Sequence, residues 1–332
     1  MGLRNRAAIT SGYLLKNAKA SFFPQEAAIE ITNHCNLSCR MCPHSKMKRE
    51  KGIMNYELFC AIIDQLRVRS EFVFLYGTGE SLLVENFFDY ASYAVKSGLK
   101  TCLSTNATML SDDRVERLID SGIDFIVLAI DGTTKETYDK IRKGAHFEET
   151  VQRCKKLLQE KIRKKSRTDV IVQFIMTEEN REESLRLRDL FTPEQQRAIN
   201  QFRLKPLYES YAQGINNVVH KHPCFFLWNF ISIAWNGDVQ LCCMDYDCSH
   251  SLGNVRSNSI QDIWNSAEIR RLRALHLACR HDDVALCRTC TLPEKEYFSP
   301  LAIAGSMFMN AGIRRKITPL FEKVYVLKSK SR

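Results

Sequence analysis

Apolar runs of five to seven residues recur along the first two thirds of the chain, and most are followed by a segment of helical spacing. Ala27–Thr32 predicts a first strand. Asn55 is placed to N-cap a helix reaching about Val68. Glu71–Tyr76 predicts a second strand, and Val84–Lys96 a helix after it. Leu99–Ser104 and Asp124–Ile130 predict the third and fourth strands, separated by a helix over Ser111–Ser121 that Gly122 ends. Helices are expected over Lys135–Ile141 and Glu148–Glu160, a fifth strand over Val170–Met176, a helix around Glu182–Leu190, and a sixth strand over Gln201–Lys205. Strands alternating with helices imply βα units and a parallel sheet. Six units predict an α/β fold: a partial (β/α)6 TIM-like barrel with its working groups on loops at the C-terminal ends of the strands.

The pattern changes near residue 207. Ile231–Leu241 reads as a β-hairpin, with Asn236-Gly237 supplying a type I′ turn. Ser259 opens a helix with a capping-box-like start, continuing to about Leu277. The expected division is an N-terminal extension (1–26), a barrel core (27–206), a small C-terminal auxiliary domain (207–300), and a basic helix and tail (301–332).

Composition narrows the setting. The chain has 332 residues, 45% of them hydrophobic, enough for a sizeable core. No stretch approaches the roughly 20 apolar residues of a membrane span. The first residues show neither an apolar signal core nor a myristoylation pattern, so a cytoplasmic location is expected. The 13 cysteines there read as metal ligands and reduced thiols, not disulfides. The net charge of +10 sits largely in short runs, Lys46 to Lys51, Lys161 to Arg167 and Arg314 to Lys316. These read as solvated faces; no interleaved aromatics accompany them, so no nucleic-acid partner is expected.

Candidate chemistry concentrates at strand ends. Directly after the first strand comes Cys35-x3-Cys39-x2-Cys42. Iron–sulfur clusters are normally closed by four cysteines. Three leave one iron open, and an open metal position is where chemistry happens. A zinc site is the alternative, although the second C-x2-C pair that usually accompanies one is not nearby. After the second strand comes Gly77-Thr78-Gly79-Glu80, whose glycines let backbone approach a ligand and whose carboxylate could take an ammonium group. The third strand ends in Ser104-Thr105-Asn106 and the fourth in Ile130-Asp131-Gly132, ahead of a helix holding Tyr138 and Arg142. Further on lie Cys224, Gly237, Cys242 and the pair Cys287-x2-Cys290.

This series resembles the radical S-adenosylmethionine (radical SAM) superfamily over residues 27 to 292. The resemblance implies that Cys35, Cys39 and Cys42 hold a [4Fe-4S] cluster whose open iron chelates S-adenosylmethionine. It implies that Gly77, Thr78, Gly79 and Glu80 bind the amino group of that cofactor, and that Ser104, Asn106 and Asp131 lie beside it. The second cysteine set resembles SPASM domains in their shortened twitch form. That implies Cys224, Cys242, Cys287 and Cys290 as ligands of one closed auxiliary [4Fe-4S] cluster, with a four-cysteine zinc site as the alternative. Cys60, Cys102 and Cys154 are expected as buried apolar residues, and Cys243, Cys248 and Cys279 as alternative ligands. Related peptide-oxidising enzymes carry an acidic base where Cys243 stands, and Asp245 and Asp247 are the nearby substitutes. The implied activity is reductive cleavage of S-adenosylmethionine to a 5′-deoxyadenosyl radical that abstracts hydrogen from a substrate carbon. A redox modification of a small molecule follows, with a flavodoxin- or ferredoxin-type electron donor. Peptide maturation, RNA modification and a non-catalytic metal-binding module are the alternatives.

Overall fold

The structure is a computed structural model that describes residues 2–207 and 220–292. The basic helix expected at 304–324 lies outside the described residues. Six strands, β1 (Glu26–Ile29), β2 (Phe72–Phe74), β3 (Lys100–Thr105), β4 (Phe125–Ala129), β5 (Asp169–Met176) and β6 (Ile199–Pro206), pair in parallel in chain order. The expected six βα units are therefore present. The sheet does not stop at β1. The strand β7 (Phe230–Ile233) pairs in parallel with its free edge, and β8 (Asp238–Gln240) and β9 (Ser251–Asn254) follow antiparallel. One nine-stranded sheet, ordered β6-β5-β4-β3-β2-β1-β7-β8-β9, thus carries both groups of cysteines.

Alternation along the strands gives this sheet two unlike faces. One face, including Ile29, Val73, Leu103, Ile126, Val172 and Ile231, is buried under helices. The helices are α2 (Tyr56–Leu66), α3 (Phe87–Lys96), α4 (Asp112–Asp120), α5 (Lys135–Ile141) and α6 (Phe147–Arg163). Asn55 caps α2 and Ser111 caps α4 by accepting the backbone N–H three residues on, as their positions predict. The opposite face carries no helix from the crossovers. Cys102, Val127 and Ile171 are buried there, but Phe72, Phe74, Tyr76, Ser104 and Gln173 are only half-buried although their strands lie inside the sheet.

Several local expectations need revision. Glu182–Leu190 is a 3-10 segment rather than an α-helix, and a short helix α7 (Pro193–Ala198) precedes β6 behind a Thr192–Gln195 capping box. In the β7–β8 turn only Gly237 has positive φ, at 94°. A type I′ turn needs two such residues. Ala234 instead pairs with Asp238 across a three-residue loop, and the Asn236 side chain accepts the Asp238 N–H. After the short helix α8 (Phe226–Asn229), the predicted helix from Ser259 is two helices, α9 (Ile260–Trp264) and α10 (Ala267–Leu277). Ser259 and Ser266 each cap one, so the second serine restarts the helix. An unpredicted helix α1 (Gly2–Leu14) packs at the seam between the strands; Tyr13 donates to the Pro223 carbonyl, and Arg6 pairs with Glu71.

Candidate active site

All parallel strands point their C-terminal ends the same way, so the loops after β1 to β4 meet at one rim. The cysteine loop is held there by backbone and side-chain contacts on two sides. On one side Ser38 and Arg40 donate their N–H groups to the carbonyls of Lys143 and Ile141, both at 2.9 Å. On the other, the Asn33 amide oxygen accepts the Gly52 N–H, its amide nitrogen donates to the Glu50 carbonyl, and buried His44 meets the Asn33 carbonyl at 2.9 Å. The three cysteines are half-buried and form no disulfide. Burial pushes each of them above its ordinary range. Cys35 feels the charge of Cys39, Cys39 that of Cys42, and Cys42 that of Cys35, while Arg142 opposes the rise in all three. A cationic neighbour facing three thiols on a fixed loop suits a thiolate-bound cluster.

The glycine-rich loop closes against this one. A Cβ on Gly79 would lie 2.4 Å from the Thr32 carbonyl oxygen and 2.5 Å from that of His34. The Glu80 N–H donates to the same His34 carbonyl at 2.8 Å. Gly77 is needed for a different reason: a Cβ there would meet the Glu30 side chain at 2.6 Å. Thr78 donates its N–H to Glu30. Glu80 itself is 2% exposed and already well occupied. It accepts from the Leu82 N–H, the Asn106 N–H and the Thr105 hydroxyl at 3.1, 2.7 and 3.0 Å. It thus caps the 3-10 turn Ser81–Leu83 and ties the ends of β2 and β3 together. Burial raises its carboxyl above the ordinary value, against these three donors. A carboxylate has about four acceptor positions, so one stays open to a cofactor ammonium.

Asn106 joins the same rim. Its amide donates to Asn36 in the cysteine loop and its oxygen holds Thr108. Ser104 lies half-buried on the open face of β3. Asp131, expected beside the cofactor, is fully buried in an ion pair with Arg142 at 2.6 Å and also accepts the Ile175 N–H. Asp131 is thus placed to orient Arg142.

The second cysteine set walls a cavity of about 190 Å³ lined by Cys224, Cys242, Cys287 and Cys290 together with apolar residues such as Phe226 and Leu241. Burial raises Cys224 and Cys242 well above the ordinary thiol range and Cys287 to about 12. A zinc ion draws its thiolates to about 2.3 Å; a cubane spreads its four ligands over four irons, and thiols ranged round a cavity fit that arrangement. Cys243 and Cys279 are exposed, Cys248 half-buried; Cys102 and Cys154 are buried as expected, whereas Cys60 is half-buried.

Asp245 and Asp247 each hold loop backbone. Asp245, 2% exposed, accepts the N–H groups of Ser249 and His250 and so folds its own loop. Asp247 accepts the Lys48 and Arg49 N–H groups. These acceptors bind backbone that would otherwise be unsatisfied.

Sequence reasoning missed Glu30 and Arg49. Arg49 reaches Glu30 with both terminal nitrogens, at 2.7 and 2.5 Å, and the Tyr246 carbonyl with Nε. Its basic run was expected to be solvated, yet the Arg49 side chain is only 12% exposed. A glutamate between isoleucines in a buried strand was the available signal, because buried carboxylates are nearly always paired.

Comparisons with known proteins agree with this geometry. The family model described as Radical SAM superfamily matches residues 29–188, and the SPASM model, an iron-sulfur cluster-binding domain, matches residues 224–291. The chain is 28% identical over 290 residues to a tungsten-containing aldehyde ferredoxin oxidoreductase cofactor-modifying protein of Pyrococcus furiosus, covering 72% of this chain and 80% of that one. It is 29% identical over 128 residues to the mycofactocin maturase MftC of Mycobacterium ulcerans, covering 39% of this chain and 35% of that one. Among solved structures, BtrN in complex with AdoMet and 2-DOIA superposes with a TM-score of 0.56 at 18% identity over 83% of this chain and 98% of that one. The chain is a radical SAM superfamily member with a C-terminal SPASM domain, whose cofactors are S-adenosylmethionine and [4Fe-4S] iron–sulfur centres.

Proposed function

We propose that the protein performs a redox modification of a small molecule, using the auxiliary centre as an electron relay. The carrying observation is the four-thiol cavity on the hairpin that extends the barrel sheet. A centre closed by four protein ligands has no position for substrate, so it suits electron transfer. When bound and reduced, a centre with one open iron would supply the electron for reductive cleavage of S-adenosylmethionine and so for hydrogen abstraction from a substrate carbon. Cys35, Cys39 and Cys42 would hold that centre, with Glu80 and the Gly77–Gly79 backbone positioning the amino-acid end of the cofactor. The half-buried open face of the sheet receives the substrate beside the rim and limits access of water. A reduced flavodoxin- or ferredoxin-type protein is the proposed electron source. The relative matched over most of this chain is named a cofactor-modifying protein, which supports a small-molecule substrate over a peptide.

Anaerobically reconstituted protein should hold about eight irons, two cubanes' worth, and release 5′-deoxyadenosine from S-adenosylmethionine under dithionite. The Cys35→Ala, Cys39→Ala and Cys42→Ala variants should each lose that release. Removing Cys287 and Cys290 should leave about four irons. Stoichiometric zinc at the second site would defeat the relay, and 5′-deoxyadenosine from the triple variant would defeat the whole reading.

A further inference from the structure

The open face of the sheet carries two cations at the level of the active-site rim. Strand alternation puts Phe202 and Leu204 against the helical side, where Phe202 packs on Phe191 and under Arg188. Gln201, Arg203 and Lys205 therefore face the other way. By register Arg203 lies opposite Gln173, itself opposite Ala129, and Lys205 lies opposite Ile175. Both cations thus sit near the C-terminal ends of the strands, with the cysteine and glycine-rich loops.

The sheet curls to bring them inward. In a flat sheet β6 and β2 would be about 19 Å apart, four strand spacings. Yet Arg203 is close enough to influence Tyr76, which follows β2, and both Arg203 and Lys205 influence Cys102 on β3. Lys205 also reaches the field of Cys243, beside the auxiliary ligand Cys242. The cations and Tyr76 therefore lie on one open face of the sheet, at the level of the rim. Arg203 is half-buried, and its described hydrogen-bond partner is the neutral Gln201 amide at 3.1 Å. Among the described residues no carboxylate pairs with it. The acids of the rim are engaged elsewhere, Glu30 with Arg49, Asp131 with Arg142, and Glu80 with its three donors.

We infer that Arg203 and Lys205 form the subsite for an oxyanion, a carboxylate or phosphate group, of the substrate. This rests on the reading of the open face as the substrate site. Arginine offers a planar fork matched to two oxyanion oxygens, and lysine adds a point charge, a division of labour suited to an anchored acidic group. Tyr76 completes the wall with an aromatic body and a hydroxyl. An anion held there fixes one end of the substrate while a carbon at the other end is presented to the rim.

The test uses full-length reconstituted protein and two probes, inorganic pyrophosphate and succinate, titrated by calorimetry at fixed ionic strength. Wild type should bind at least one of them. Arg203→Gln and Lys205→Gln should each weaken that binding about tenfold or more, the loss expected of a charge-assisted hydrogen bond. Arg203→Lys should keep part of it, and melting temperatures should report that each variant is folded. Preference for pyrophosphate assigns a phosphorylated substrate, and preference for succinate a carboxylated one. Equal affinity in wild type and the Arg203→Gln/Lys205→Gln double variant, or no binding to wild type at millimolar probe, overturns the subsite. If wild type cleaves S-adenosylmethionine but fails the anion test, only this inference falls; if it does not cleave, the functional reading falls first.

Discussion

Glu80 ties a turn and two strands together, and we propose that it also takes the cofactor ammonium. Three donors hold it, and a fourth acceptor position remains. Glu80→Gln keeps the shape but turns an amide N–H₂ toward a donor. Losing one satisfied bond at a buried site costs about 1–3 kcal/mol. S-adenosylmethionine affinity should also fall about tenfold to a hundredfold, because a charge-assisted bond to its ammonium is lost. Iron content should stay unchanged. There is a pH signature as well. Burial raises the Glu80 carboxyl above 4.5 in the folded protein, so the folded state keeps its proton longer than the unfolded chain does. The stability of wild type relative to Glu80→Gln should therefore decline as pH rises from about 4.5 through the folded value. Urea titrations across pH, with cofactor binding measured on the same samples, check both parts; unchanged affinity would leave Glu80 a capping residue only. The motif was visible in the sequence, but its tie to the third strand was not. Which backbone N–H groups a carboxylate meets depends on the neighbouring strand, and no local pattern records that.

At the scale of elements, the glycine-rich loop and the cysteine loop form one unit. Gly79 lets them touch: a Cβ there would press on the carbonyl oxygens of Thr32 and His34 and on Asn33 Cα, all backbone. Backbone cannot swing aside as a flexible side chain can. Gly79→Ala should therefore displace the loop that carries Cys35, lowering iron from about eight to about four per chain, with the four-thiol site still filled. Iron and sulfide analysis decides it, and full iron content would show that the loops have slack. Gly77→Ala presses on the Glu30 side chain instead and should be milder. The parallel strands and their helices were legible because apolar runs and caps such as Asn55 and Ser111 are local signals. The helix break at Ser266 was hidden inside a continuous apolar pattern, although a serine three residues before an apolar position is a cap signal. The helix α1 was missed for another reason. Its contacts, Tyr13 to Pro223 and Arg6 to Glu71, are with distant segments, so tertiary packing rather than its own pattern stabilises it.

For the whole molecule, the question is what fixes one cysteine site relative to the other. The β1–β7 pairing makes one sheet of both halves, with Glu26 to Ile29 opposite Phe230 to Ile233. Arg49 pins the loops above that seam. It pairs with Glu30 at the end of β1, donates to the Tyr246 carbonyl beyond β8, and its N–H, with that of Lys48, goes to Asp247. Arg49→Ala removes the partner of a carboxylate that is 2% exposed. Leaving a buried charge unpaired costs about 3–5 kcal/mol. The Glu30→Gln/Arg49→Met double variant leaves no buried charge and should recover much of that loss. The Tyr246 contact is absent in both, so a test of geometry separates from a test of stability. Amide exchange in residues 46–50 and 245–250 should quicken in Arg49→Ala and stay fast in the double variant, even where its stability returns. If exchange there stays slow in both, sheet pairing alone holds the two sites together and Arg49 contributes only to local stability.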